Sequence, residues 1–150
     1  MRDVINVLEK NIKEVVSRLD SSKFFGLNNS ATKRPDLFNF LISLGVERGY
    51  PKELTSKKTS FVRTEYIENN NCWFLYSSLY FHEMISDNPT EKIDMITNDN
   101  EILDLVEKYA NTGFDVIAEY MDQYSDEEMM LDLISQMDDW YKEHFGEDAF

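Results

Sequence analysis

The chain has 150 residues, 42% of them hydrophobic and 13% aromatic, which is enough apolar material to bury the core of one domain. Its net charge of −14 is unevenly divided: residues 1–63 carry 12 Lys or Arg against 7 Asp or Glu, a net +5, and residues 64–150 carry 3 against 22, a net −19. That division excludes a protein that wraps nucleic acid with its whole surface, and the lone cysteine, Cys72, excludes an internal disulfide and a Cys-cluster zinc site.

The opening residues "MRDVINVLEKNIKEVV" bear a charge every few positions, so they lack the unbroken apolar run of a signal segment. No stretch approaches the ~18 apolar residues of a membrane span, and a soluble, cytoplasmic protein is expected. Val4, Ile5, Leu8, Ile12, Val15, Val16 and Leu19 recur at steps of three and four, which predicts an amphipathic helix over 3–19. "KFFGLNNSATKR" reads as a loop pinned by Phe24 and Phe25, because Gly26 and the asparagines favour turns.

Pro35 and Asp36 suit a helix start, so a second helix is predicted from there to about Gly45 or Arg48. Leu37, Phe38, Phe40, Leu41, Leu44 and Val46 cover more than one of its faces, which places it centrally. Gly45 permits close approach of a neighbouring helix, and Gly49, Tyr50 and Pro51 form a stop signal. A short extended segment or strand is expected near 60–67. Asn70 or Asn71 is expected to cap the aromatic helix "CWFLYSSLYFHEMI", and a brief helix is expected from Pro89 to about Ile96.

Residues 100–122 give the clearest long helix, with a kink expected at Gly113. Ser125 and Glu128 are spaced as a capping box for a last helix bearing Met129, Met130, Leu133, Ile134, Met137, Trp140 and Tyr141, whose Met-rich face reads as core packing, with an adaptable docking groove as the alternative. The expected fold is therefore mostly α, a single-domain helical bundle of five to six helices over residues 1–150.

Motifs for chemistry are missing. The glycines at 26, 45, 49, 113 and 146 match neither GxGxxG nor GxxxxGK, and "FHEMIS" has no second histidine four residues after His82. His82 reads as a core or edge residue, with Glu83 its only companion for a site, and His144 as a cation near a negative helix end. Cys72 reads as a buried, inert thiol. No nucleophile motif accompanies either histidine, so no enzyme activity and no cofactor are expected.

Two surfaces remain as candidates. Lys33, Arg34, Arg48, Lys52, Lys57, Lys58 and Arg63 form a candidate basic contact edge, and Asp122, Asp126, Glu127, Glu128, Asp132, Asp138 and Asp139 a candidate acidic docking face. A protein partner is expected; nucleic acid could be met only through the basic half or indirectly, and the sequence leaves a homo-oligomer open.

The stretches "RPDLFNFLISLGVERGYPKEL" and "LVEKYANTGFDVIAEYM" resemble the small proteins called Dnd-system-associated protein 4, encoded beside bacterial DNA phosphorothioation and phage-defence genes. The likeness covers about residues 34–121 and does not extend to the acidic tail. It implies a defence-island accessory protein and carries over no catalytic residue. The leading expectation is thus a non-enzymatic adaptor docking a protein partner in such a system. The competing one is an acidic DNA mimic that inhibits a nucleic-acid-binding defence enzyme.

Overall fold

A computed structural model describes residues 2–22, 33–70, 72–85 and 99–146. Residues 23–32 of the loop expected over 23–34, the cap at Asn71, the brief helix from Pro89 and the side chain of His144 lie outside the described residues, while Arg34 at the loop's end is already helical.

The first element departs from the sequence reading. Val4–Leu8 is a strand, β1, not the start of a helix over 3–19. It pairs antiparallel with β2, Lys58–Arg63, in the register Val4 to Arg63 and Leu8 to Lys58. A register shift between Ile5 and Asn6 leaves Phe61 without an opposite residue. Ile5, Val7 and Leu8 are buried. Short apolar runs satisfy both periodicities, and here the β-branched content and the available partner strand decide in favour of pairing. The chain turns helical only at Glu9, and α1 (residues 9–22) has a wider π-helical middle at Ile12–Val16.

The remaining elements are α2 (Arg34–Arg48), α3 (Thr64–Asn69), α4 (Cys72–Ile85), α5 (Asp99–Gln123) and α6 (Asp126–Phe145). The mostly helical fold with one short strand pair agrees with the expected class. Pro35 lies in the first turn of α2, and Gly49 ends that helix in the left-handed conformation, its N–H donating to the Gly45 carbonyl. Asn70 closes α3 at its C-terminus and does not open α4.

The molecule is organised around the crossing of α2 and α5. A Cβ on Gly45 would lie 1.9 Å from the Tyr109 carbonyl oxygen, and one on Gly113 would lie 2.0 Å from the Leu41 carbonyl oxygen. Each helix thus supplies a glycine at the point where the other helix's backbone presses closest. Gly113 is not a break, since α5 runs through it as one 25-residue helix. Around the crossing, Leu37, Phe38 and Leu41 of α2 meet Leu103, Val106, Ala110, Phe114 and Ile117 of α5, all buried. Tyr76 and Tyr80 of α4 join this core, Tyr76 edge-on to Phe38 at a centroid distance of 6.2 Å.

Polar side chains of α5 tie down what surrounds it. Asn111 donates to the carbonyls of Lys52 and Glu53 and accepts from buried Asn11, and Thr112 donates to the Tyr50 carbonyl at 2.7 Å. Glu107, also buried, accepts from the Asn6 N–H at 2.6 Å. Arg2 Nη2 stands 3.0 Å from both Glu107 and Asp104 without the alignment of a hydrogen bond, and so acts there as a counter-charge.

Candidate functional site

The seven cations of the candidate basic edge fall into three groups. Lys33, Arg34 and Arg63 line an open hollow of about 610 Å³ together with Phe61, Tyr66 and Asn70. Arg48 and Lys52 lie at the far end of α2 and just beyond it, against α5, while Lys57 and Lys58 mark the start of β2.

Most of these cations face carboxylates. Arg34 makes a two-pronged bond to Asp20 and lies 5.6 Å from the centroid of the Phe61 ring. Arg48 grips Glu119 in the same manner, which raises the guanidinium pKa and holds the Glu119 carboxyl below its usual range. Lys52 reaches Asp115 at 2.6 Å, Lys57 reaches Glu9 at 3.3 Å, and Arg63 stands 3.7 Å from Glu65. Lys33 and Lys58 are exposed. The positive potential expected from a net +5 is therefore locally cancelled at five of the seven positions.

The acidic residues are differently employed. Asp126 is held by Arg18 at 3.0 Å. Glu128 completes the capping box with Ser125, as its spacing predicted, and Asp132 accepts from Gln136. Asp138 pairs one turn along with Lys142, while Asp122, Glu127 and Asp139 are exposed on the surface.

The larger surprise concerns the apolar side of α6. Met129 and Leu133 are buried, as a core reading requires, but Ile134, Met137 and Trp140 are 56%, 63% and 46% exposed. The expectation that this whole face packs into the core is corrected: only its first two turns do. Periodicity identifies side chains that share a face without saying how far the neighbouring element reaches. The outer half ends in an aromatic group, with the Phe145 ring 4.8 Å from Tyr141 and 6.1 Å from Trp140 between centroids. The sequence signal that could have separated the two halves is the pair "DD" at 138–139, set directly against Trp140 and Tyr141.

The residues considered for chemistry are not assembled into a site. His82 is exposed on α4, and Glu83 instead accepts a hydrogen bond from the Tyr109 hydroxyl. Cys72 is half-buried, not fully buried, and accepts from Asn39 Nδ2 at 3.3 Å. Burial pushes the Tyr109 hydroxyl pKa up, with the Glu83 bond adding to it, and Tyr80, bonded to Glu101 at 2.6 Å, is pushed up to about 12 mainly by burial. Among the described residues no group of three or more His, Cys, Asp or Glu side chains could hold a metal ion, and no described helix is long and apolar enough to cross a membrane. Three comparisons, with protein-family models, with curated proteins and with solved structures, gave no match to the chain.

Proposed function

We propose that the chain is a non-enzymatic adaptor that docks a protein partner in a bacterial DNA-modification or phage-defence system. The observation that carries the docking reading is the outer half of α6, where large apolar side chains stand in solvent on a helix with seven carboxylates and one lysine. Monomeric soluble proteins seldom leave such residues grouped in solvent without an interaction to use them. The defence setting rests on the resemblance of residues 34–121. The two stretches that carry it are the two sides of the α2–α5 crossing, which makes them scaffold residues.

Affinity capture at low salt followed by quantitative mass spectrometry tests the adaptor reading. A defined protein recovered in stoichiometric amount, and released as salt rises, is the expected result. Recovery of no specific protein at low salt contradicts it.

A second reading is favoured by one observation, the net −19 of residues 64–150: a mimic of the DNA backbone that blocks a nucleic-acid-binding defence enzyme. A mimic competes with DNA for its target, whereas an adaptor leaves DNA binding by its partner unchanged or strengthens it. Titrating the chain into a preformed complex of captured partner and DNA separates the two.

A further inference from the structure

We infer that the outward face of α4 pairs with the same face of a second copy of this chain. The inference goes beyond the adaptor reading and does not rest on it. At about 100° per residue, Phe81, Phe74, Ser78, His82 and Leu75 fall in one sector of about 120°, with Ser78 at its middle and buried Tyr76 and Tyr80 on the opposite side. Phe74 is 76% exposed, Leu75 62% and Phe81 42%. A helix that is apolar on both sides is suited to cover on both. The polar group at the centre of the face is already provided for, because the Ser78 hydroxyl donates to the Phe74 carbonyl at 2.8 Å within the same helix, so covering the face strands no donor there.

The charge pattern selects the occupant. Residues 69–82 hold no Asp, Glu, Lys or Arg, the longest such run in a chain that is 29% charged. A nucleic acid or an anionic membrane surface needs cations, which this face lacks. A strongly charged protein surface would lose water from its ions here without finding partners for them. For a chain of net −14, this run is also the longest stretch through which two copies can touch without setting carboxylates against carboxylates. Interfaces between identical chains are about 65% apolar, more so than those between partners that come and go.

The area sets the strength of the contact. The exposed parts of Phe74, Leu75 and Phe81 come to about 300 Å² per copy, or ~600 Å² for a pair, which at that apolar share corresponds to an interface of roughly 900 Å² in all. Stable complexes bury about 1,200 Å² or more. The pair is therefore a reversible dimer that forms as concentration rises. A two-fold axis passing Ser78 at right angles to the helix lays the two copies of α4 antiparallel, with Leu75 of each towards Phe81 of the other.

Sedimentation velocity of the full chain between about 1 and about 200 μM tests this. A reversible monomer–dimer equilibrium is expected for wild type, and monomer throughout for the double variant Phe74→Glu, Leu75→Glu, with a melting temperature in dilute solution within about 3 °C of wild type. Ser78→Cys in a Cys72→Ser background keeps the test decisive if the glutamates disturb the fold. Under mild oxidation it should form a disulfide-linked dimer, whereas Ser43→Cys, exposed on α2, should not. A wild type that stays monomeric at every concentration overturns the inference, as does a dimer that survives the double variant or is removed by Met137→Glu instead. So does a Ser78→Cys chain that cross-links no better than Ser43→Cys.

Discussion

The α2–α5 crossing and the outer half of α6 are both written in the sequence as apolar residues at helical spacing, yet one brings two helix backbones into close contact and the other leaves Ile134, Met137 and Trp140 exposed. At the crossing, glycine is selected at two positions because a carbonyl of the opposite helix occupies the space of a side chain. On α6, the large apolar side chains of Ile134, Met137 and Trp140 are exposed. The difference is between residues shaped to a neighbouring backbone and residues of the same spacing that reach past it.

Substitutions at the crossing should have the largest effects. In an ordinary helix interior, Gly→Ala stabilises by about 1 kcal/mol. Here Gly45→Ala and Gly113→Ala should each destabilise by about 3 kcal/mol or more, because the nearest atoms are backbone and the helices must separate. At ~2–4 °C per kcal/mol for a chain of this size, the melting temperature should fall by about 6–12 °C. An unchanged or raised melting temperature would remove the crossing as the organising contact.

A sharper comparison lies within α6, between consecutive residues. Leu133 is 7% exposed and Ile134 56%. Leu133→Ala should cost ~2–3 kcal/mol through the cavity it leaves, and Ile134→Ala less than ~0.5 kcal/mol. Equal losses in denaturant titrations would mean that the boundary between packed and presented halves is misplaced.

The smallest expected effect concerns pH at the buried Glu107. Burial pushes the Glu107 carboxyl above its usual range, against the Asn6 N–H and Arg2, which pull it down. A carboxyl raised in the folded state contributes stability that is complete below its unfolded pKa, near 4.5, and is lost as pH rises through the folded value. Glu9 and Glu119 are shifted downward by Lys57 and Arg48, and their contributions are lost as pH falls. Glu107→Gln isolates the first effect, since glutamine imitates the protonated form. Its melting temperature should gain on wild type as pH rises above about 4.5, and a pH-independent difference would show that Glu107 is not the titrating group.

The sequence was readable where local chemistry and tertiary contacts agree. Ser125 and Glu128 specify a capping box from four residues alone, Gly49 can end a helix wherever it lies, and the apolar stripe of α5 is long enough to leave no second interpretation. It was not readable at Val4–Leu8, where positions 4, 5 and 8 fit a helix and positions 5 and 7 fit a strand, and the deciding partner lies 50 or more residues away at Lys58–Arg63. The candidate surfaces were half legible. Charge counts place cations and carboxylates in different halves, but they cannot reveal that Arg34 meets Asp20 or that Arg48 meets Glu119. Nor can a periodicity announce that Leu133 is buried while Ile134 and Met137 are exposed, because coverage belongs to the neighbour and not to the helix.

The most direct measurement is a thermal melt of the double variant Met137→Glu, Trp140→Glu. A melting temperature within about 3 °C of wild type is the outcome that exposed side chains outside the core require. A fall of 10 °C or more would make these residues core after all and contradict the division between the crossing and the outer half of α6.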